Sequence, residues 1–274
     1  MPANGAQALF RPGEGTRIFG ILNLTPDSFS DGGQWNDPER AVQRAAQMAG
    51  EGAVAIDLGG ESTRPGHAPV SAAEELRRVL PVIERLAAAP CDFLLSIDTT
   101  KAEVARAALA AGAGVLNDVS GFQGDPALPE VAAAAGCPVI LMHRDRGFSA
   151  AAGDPLDKIK RFFDRSLIIA AQAEVTQIIL DPGIGFHKTP EESLEIMGRL
   201  AELKSFGRPL LQGASRKSVL GQVLDGAPPA DRLEATLATS VWAAIQGVEF
   251  VRVHDVLANA RALRMAAALQ RRVR

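Results

Sequence analysis

Cysteine is scarce. Cys91 and Cys137 are the two in 274 residues, each beside a proline near an expected strand start. Two isolated thiols build no disulfide framework; they suit a reducing compartment and fit best as small core residues. Histidine is nearly as rare. His67, His143, His187 and His254 lie in separate units, with no His-x-x-x-His spacing that would hold a transition metal. A Gly-x-Ser-x-Gly elbow and a Cys/His pair at motif spacing are both missing, which removes the commonest nucleophile arrangements. No apolar run reaches the ~18 residues of a membrane span. The first residues lack the basic-then-apolar order of a targeting signal, so a cytoplasmic protein with no membrane partner is expected. A formal net charge of −3 provides no basic field for nucleic acid. What is plentiful is core material: 47% hydrophobic against 22% charged residues excludes general disorder.

That core material comes in a rhythm. After a Gly/Ala/Pro-rich lead-in to about Thr16, short apolar runs alternate with Ala-rich amphipathic segments. The runs predict strands at Ile18–Leu22, Val54–Leu58, Phe93–Ile97, Gly114–Leu116, Val139–Met142, Ile178–Leu180, Pro209–Leu211 and Glu249–Val253. The segments between predict helices at Pro38–Glu51, Ala72–Ala89, Ala102–Ala111, Leu128–Ala135, Leu156–Ala173, Glu191–Phe206, Ala230–Gln246 and Val256–Arg271. Strict alternation implies parallel βα units. Roughly 33 residues per unit fits a single (β/α)8 TIM barrel rather than an open doubly wound sheet, and no linker divides residues 1–274 into two domains.

A barrel places its chemistry at the C-terminal ends of its strands. Those ends carry Asn23, Asp57, Asp98, Asn117-Asp118, Met142-His143, Asp181, Gly213 to Lys217, and Arg252 to Asp255. One polar tip is only a cap or turn, but seven or eight facing one mouth form a site. Asp57, Asp98 and Asp181 would meet near the axis, where unpaired carboxylates are costly. They require a ligand rich in N–H donors, or basic neighbours. Ser215-Arg216-Lys217-Ser218 together with Arg252 and His254 provide cations where barrels often bind phosphate. The stretch Ile178 to Thr189 shows the unit in full: apolar run, Asp181, a Pro182-Gly183 turn, Gly185, then Thr189-Pro190-Glu191-Glu192 as a helix start. The loops Asn23–Gly33 and Gly59–Gly66 are long and polar, in the manner of lids.

Seven segments in register carry a family resemblance. Ile21–Gly33, Asp57–Gly66, Ser96–Thr99, Asn117–Gly121, Leu180–Phe186, Ser215–Ser218 and Arg252–Val256 resemble, in order, the signatures of the dihydropteroate synthases. The match spans about residues 18 to 260. It implies a pterin-binding barrel that joins 6-hydroxymethyl-7,8-dihydropterin pyrophosphate to p-aminobenzoate. By position, Asp98, Asn117 and Asp181 would hydrogen-bond the pterin, with Lys217 on its other polar edge. Met142, Gly185 and Phe186 would flank it, and Arg252 would stack on its face. Pyrophosphate would meet Asn23, Thr63, Arg64, Arg252 and His254, with Mg2+ held at Asn23. Phe29, Thr63, Pro65, Phe186 and Ser218 would form the p-aminobenzoate pocket, and Asp31 would belong to the mobile first loop. Asn23, Asp31, Arg64, Lys217, Arg252 and His254 would carry catalysis, and the chain would pair as a homodimer.

This chain departs from the family pattern in its charged His143–Phe148 loop, in His187 where a small residue is usual, and in Gln212 where an aliphatic is usual. A methyltransferase using methyltetrahydrofolate would share the axial Asp/Asn set, yet would not need Thr63-Arg64-Pro65 or the Ser215–Ser218 loop. Against a silent pterin-binding homologue stand Asn23, Asp98, Asp181, Lys217, Arg252 and His254, all intact. A barrel enzyme acting on sugar phosphates would leave the axial aspartates unexplained.

Overall fold

The computed structural model describes residues 7–10, 15–25, 38–62, 69–88 and 92–273. These residues form eight strands: β1 Arg17–Asn23, β2 Ala53–Gly59, β3 Leu94–Asp98, β4 Val115–Asp118, β5 Val139–Met142, β6 Ile178–Asp181, β7 Leu211–Gln212 and β8 Phe250–Val253. All neighbours pair in parallel, in the order β6-β5-β4-β3-β2-β1-β8-β7. The two end strands then meet. Leu180 bridges Leu210 in parallel, and the Leu180 N–H donates to the Pro209 carbonyl at 2.9 Å. The ring closes as a barrel, as the sequence predicts.

Among the described residues nine α-helices accompany the strands: α1 Pro38–Gly50, α2 Ala72–Ala87, α3 Ala102–Ala110, α4 Leu128–Ala135, α5 Pro155–Gln172, α6 Pro190–Gly198, α7 Ser218–Val223, α8 Leu233–Ile245 and α9 Val256–Val273. Their starts are encoded locally. Thr189 caps α6 in a capping box, its hydroxyl accepting from the Glu192 N–H while Glu192 accepts from the Thr189 N–H. Asp154 caps α5 by accepting from the backbone of Leu156 and Asp157. Two predicted helices are broken. Glu191–Phe206 ends as α-helix at Gly198, and Leu200–Phe206 continues as a 3-10 turn stopped by left-handed Gly207. Ala230–Gln246 starts late, after a 3-10 turn at Pro229–Asp231. The short α7 is not visible as a periodic pattern. Predicted strand Pro209–Leu211 is shifted, since Pro209 has no N–H for a ladder.

The strand pleat sorts the core into two shells. Residues facing outward, such as Ile56, Leu58, Ile97, Leu141 and Val251, pack under the helices. Residues facing the axis form a second cluster of Phe19, Ala55, Val115, Ile140, Ile179, Leu211 and Phe250, in which Phe19 and Phe250 meet edge-on at 5.3 Å. Two residues further along each strand, the same inward register brings Asp57, Asn117, Met142, Asp181, Gly213 and Arg252 to the mouth. The lower layer is apolar and the upper layer polar, and the period-two pattern connects them.

The lead-in is partly built. Gln7–Phe10 forms a 3-10 turn whose Leu9, 2% exposed, plugs the lower end of the axial cluster. Arg17 fixes the turn by donating Nη2 to the Leu9 carbonyl at 2.5 Å, and its guanidinium lies 4.4 Å from the Phe250 ring centre. Leu9→Ala should therefore lower the unfolding free energy in urea by about 2–3 kcal/mol. A loss under ~0.5 kcal/mol, the scale of a surface change, would show that the turn contributes nothing to the barrel.

Candidate active site

Asp57, at the inward position of β2, is fully buried and receives three donors from three other strands. These are Ser96 Oγ at 2.5 Å from β3, Asn117 Nδ2 at 2.8 Å from β4, and Arg252 Nε at 2.5 Å from β8. A buried carboxylate is sustained by such charge-assisted bonds. Two consequences follow. The Asn117 amide is oriented with its nitrogen on Asp57, leaving the oxygen as its acceptor at the mouth. Arg252 is clamped at both ends, since its Nη2 also donates to Asp98 at 3.0 Å. Its charge is thereby matched, and nearby Asp57 and Asp98 hold its pKa above the usual value despite burial.

The carboxylates that remain are under stress. Burial pushes Asp98 up to about 7, against the pull of Arg252 and with a push from Asp57. Burial also raises Asp181, opposed by Lys217 and by the Gly183 N–H, which donates to Asp181 at 2.8 Å. Lys217 is lowered by burial to about 8, with Asp181 pulling it back up. Its chain runs along Gly185, where an added Cβ would sit 3.3 Å from Cδ. Its ammonium donates to the Ile184 carbonyl at 2.5 Å and lies 4.5 Å from the centre of the Phe186 ring. Met142 is buried at the end of β5, opposite Asp181 in register. Gly213 sits between Asp181 and Arg252, a built Cβ being 3.6 Å from the one and 3.9 Å from the other; a side chain there would fill a flat slot between them.

At the rim, His254 Nδ1 is 3.0 Å from Ser215 Oγ, which also accepts the His254 backbone N–H at 3.2 Å. Arg44 of α1 holds the same tip through the His254 carbonyl at 3.2 Å. Asn23 ends β1 with its Oδ1 3.5 Å from the place of a Cβ on Gly59, and Asp98 lies across the same glycine. Ser218 is the exposed first residue of α7. The structure thus brings Asn23, Asp98, Asn117, Met142, Asp181, Gly185, Phe186, Lys217, Ser218, Arg252 and His254 to one mouth. Phe29, Asp31, Thr63, Arg64 and Pro65 lie outside the described residues, as do His67 and Cys91.

Several expectations change. Arg216 is taken from the anion loop, because its Nε and Nη2 grip Asp255 at 3.0 and 2.6 Å. Arg252 is committed to Asp57 and Asp98 rather than to the rim. Asp118 points away from the axis and builds a turn by accepting from Ser120 and Phe122. Gln212 faces α8, where it donates to the Thr239 carbonyl at 3.1 Å, so it does not touch the mouth. His187 is exposed with a left-handed φ of 50°. The charged loop does reach the site: Arg144 and Arg146 border a cavity with Glu61, Thr99, Val119 and Asp98. Val119 is not singled out by the sequence, and Asp57, which the sequence places on the axis beside Asp98 and Asp181, is given no binding role by the resemblance. Val119 carries no chemical signal, and Asp57 acts through neighbours that only the fold supplies. Cys137 is a buried free thiol raised to about 11 by burial, an inert core residue.

Fold and mouth together define a (β/α)8 enzyme whose floor presents hydrogen-bond acceptors and whose rim presents cationic and imidazole groups. A family model described as pterin binding enzyme matches residues 19–254. A dihydropteroate synthase of Synechocystis is 46% identical, covering 98% of this chain and 96% of its own length. Two solved structures from Xanthomonas albilineans each align over 94% of both chains. One, a dihydropteroate synthase with 4-aminobenzoic acid, is 40% identical with a TM-score of 0.88. The other, in complex with 7,8-dihydropteroate, is 39% identical with a TM-score of 0.85. The chain belongs to the pterin-binding enzymes, among the dihydropteroate synthases.

Because Asp98 binds its proton more tightly folded than unfolded, folding takes up a proton between about pH 4 and about pH 7, and stability falls as pH rises through that window. Asp98→Asn abolishes this dependence. The unfolding free energy of the variant minus that of the ligand-free wild type should grow by more than about 1 kcal/mol from about pH 5 to about pH 8. A difference that stays flat with pH would show that Asp98 titrates normally.

Proposed function

We infer that this chain condenses 6-hydroxymethyl-7,8-dihydropterin pyrophosphate with p-aminobenzoate, giving 7,8-dihydropteroate and pyrophosphate. The observation that carries this is the set of acceptors ordered around one slot: Asp98, Asp181 and the oxygen of an Asn117 fixed by Asp57. A pterin edge offers adjacent N–H donors, which is what such a floor accepts. Lys217 serves the other polar edge, and the guanidinium of Arg252, held at two points, provides a flat cationic surface for the ring.

The chemistry needs no strong base. The bond between the pterin methylene and the pyrophosphate oxygen breaks first, its electron pair leaving with pyrophosphate and its charge spreading into the ring. Asp98 and Asp181 stabilise that positive ring, the charge of Arg252 being already offset by Asp57. The arylamine lone pair then forms the C–N bond, and the nitrogen gives up its proton to water or to the released pyrophosphate. His254 serves the departing anion. With Ser215 O–H on Nδ1, the imidazole keeps its proton on Nε2 for the leaving oxygens; the family resemblance assigns Arg64, which lies outside the described residues, to the same anion. Positioning the arylamine against the methylene provides the remaining acceleration.

Mg2+ fits Asn23. The residue ends β1 with a hard amide oxygen beside Asp98, and among the described residues no group of three or more His, Cys, Asp or Glu could cage a metal. Mg2+ is content with one protein oxygen plus phosphate and water, and when bound it neutralises pyrophosphate charge.

A homodimer and a cytoplasmic location belong to the same proposal. Among the described residues no helix is long and apolar enough to cross a membrane. The dimer is supported by α8 and α9, which pack together and expose Trp242, Ile245, Met265 and Leu269, each 49–58% accessible. Large apolar side chains clustered outward on adjacent helices suit a self-complementary face. Trp242→Glu should convert the protein to a monomer in sedimentation equilibrium; a wild type that is already monomeric would reject this surface.

Turnover is tested by pyrophosphate release. It should require the pterin pyrophosphate, p-aminobenzoate and Mg2+ together, and chelation should abolish it. Asp181→Asn should weaken pterin binding by roughly 1.5–3 kcal/mol, the scale of a charge-assisted hydrogen bond. Pterin binding without any turnover would mark a silent homologue, and unchanged affinity in Asp181→Asn would remove that residue from the slot.

A further inference from the structure

Lys188 stands outside every role assigned so far, yet three acceptors converge on its ammonium. His143 Nδ1 lies at 2.9 Å, the Gly183 carbonyl at 2.8 Å and the Phe186 carbonyl at 3.2 Å. The left-handed His187 preceding it, with φ 50°, turns the chain so that Lys188 folds back beneath its own loop. Three donors on one ammonium meet three acceptors, two on the β6 loop and one at the tip of β5.

Those two segments carry opposite flanks of the slot. Met142 immediately precedes His143, while Gly185 and Phe186 lie between the two carbonyls that Lys188 holds. The tips already approach closely. The His143 N–H donates to the Asp181 carbonyl at 2.8 Å, and a side chain on Gly183, φ 65°, would run into the His143 carbonyl. The His143 ring is locked by edge contacts with Phe148 at 5.0 Å and Phe162 at 4.6 Å. Its pKa is driven down to about 2 by burial and by the Lys188 charge, so it is a neutral acceptor. Lys217 holds the intervening Ile184 carbonyl at 2.5 Å. The Gly183–Phe186 loop is thus gripped by two ammoniums, one inside the slot and one beneath it.

We propose that Lys188 is a positioning residue that joins the β5 tip to the β6 loop and so sets the spacing between Met142 and Gly185-Phe186 across the pterin slot. It touches no reacting atom. The proposal rests on the pterin assignment above, and its test separates the two. Lys188→Met should raise the KM for pterin pyrophosphate about tenfold, short of the roughly hundredfold that a ~1 Å misplacement can cost. The KM for p-aminobenzoate at saturating pterin pyrophosphate should stay within about twofold, as expected when one substrate's binding alone is loosened. Lys188→Arg, which keeps charge and donors, should recover part of the loss. A pterin KM within about twofold of wild type in folded Lys188→Met overturns the proposal. If that variant does not fold, His143→Phe reads out the same link. It keeps an aromatic ring against Phe148 and Phe162 but removes the Nδ1 acceptor, and pterin KM should rise about threefold. An unchanged KM there also overturns the proposal. A wild type that neither binds pterin nor turns over would defeat the functional assignment instead.

Discussion

The Asp57 carboxylate is the interaction on which the mouth depends. It lies fully buried on β2 and takes its donors from β3, β4 and β8, so half the circumference of the barrel is referenced to one group. Losing any donor would leave a buried charge partly unpaired, a penalty of a few kcal/mol. That threat makes the arrangement rigid. Asn117 cannot flip and Arg252 cannot swing toward the rim without exposing Asp57 to an apolar interior. A site that must present fixed acceptors to a flat ligand gains its preorganisation here rather than from the ligand.

The other charged groups around the slot carry the mark of their burial. Asp98 and Asp181 are raised, while Lys217 and Lys188 are lowered to about 8 and about 7, burial being the first cause in every case. Each is held in a place that disfavours its own charge. Perturbed groups gathered in one cleft mark function more often than structure. A ligand carrying N–H donors on one edge and acceptors on the other would add partners for Asp98, Asp181 and Lys217.

Much of this was legible in the sequence, because the barrel has a local code. Inward residues alternate along each strand, the apolar ones come first, and the final inward residue is the polar tip. Asn23, Asp57, Asp98, Asn117, Asp181 and Arg252 could all be placed from that rule. The parts that could not be read depend on distant partners. Arg216 looks like an anion ligand until it meets Asp255, 39 residues away. Gln212 stands out only as a polar residue in an aliphatic position until its amide is seen to donate to the Thr239 carbonyl of α8. Leu9 plugs the axis from a single 3-10 turn, too short to show a period. The break after Gly198 interrupts a segment whose apolar spacing continues through it.

The glycines of the β6 loop show why the motif reads as it does. Gly183 adopts φ 65° and Gly185 φ 79°, values that side chains resist. Gly183 also brings its backbone against His143, and Gly185 lets Lys217 lie flat across the loop. The two glycines therefore determine where Asp181, Lys217 and Phe186 stand relative to one another. Asp57 fixes one side of the slot through side-chain hydrogen bonds, and the glycine loop, clasped by Lys188 and Lys217, fixes the other. The width so fixed selects a thin, flat ring, while the acceptors on the floor select its edge. In the proposed reaction, specificity for the heterocycle and stabilisation of its positive charge draw on the same few groups, and the leaving anion is left to the rim.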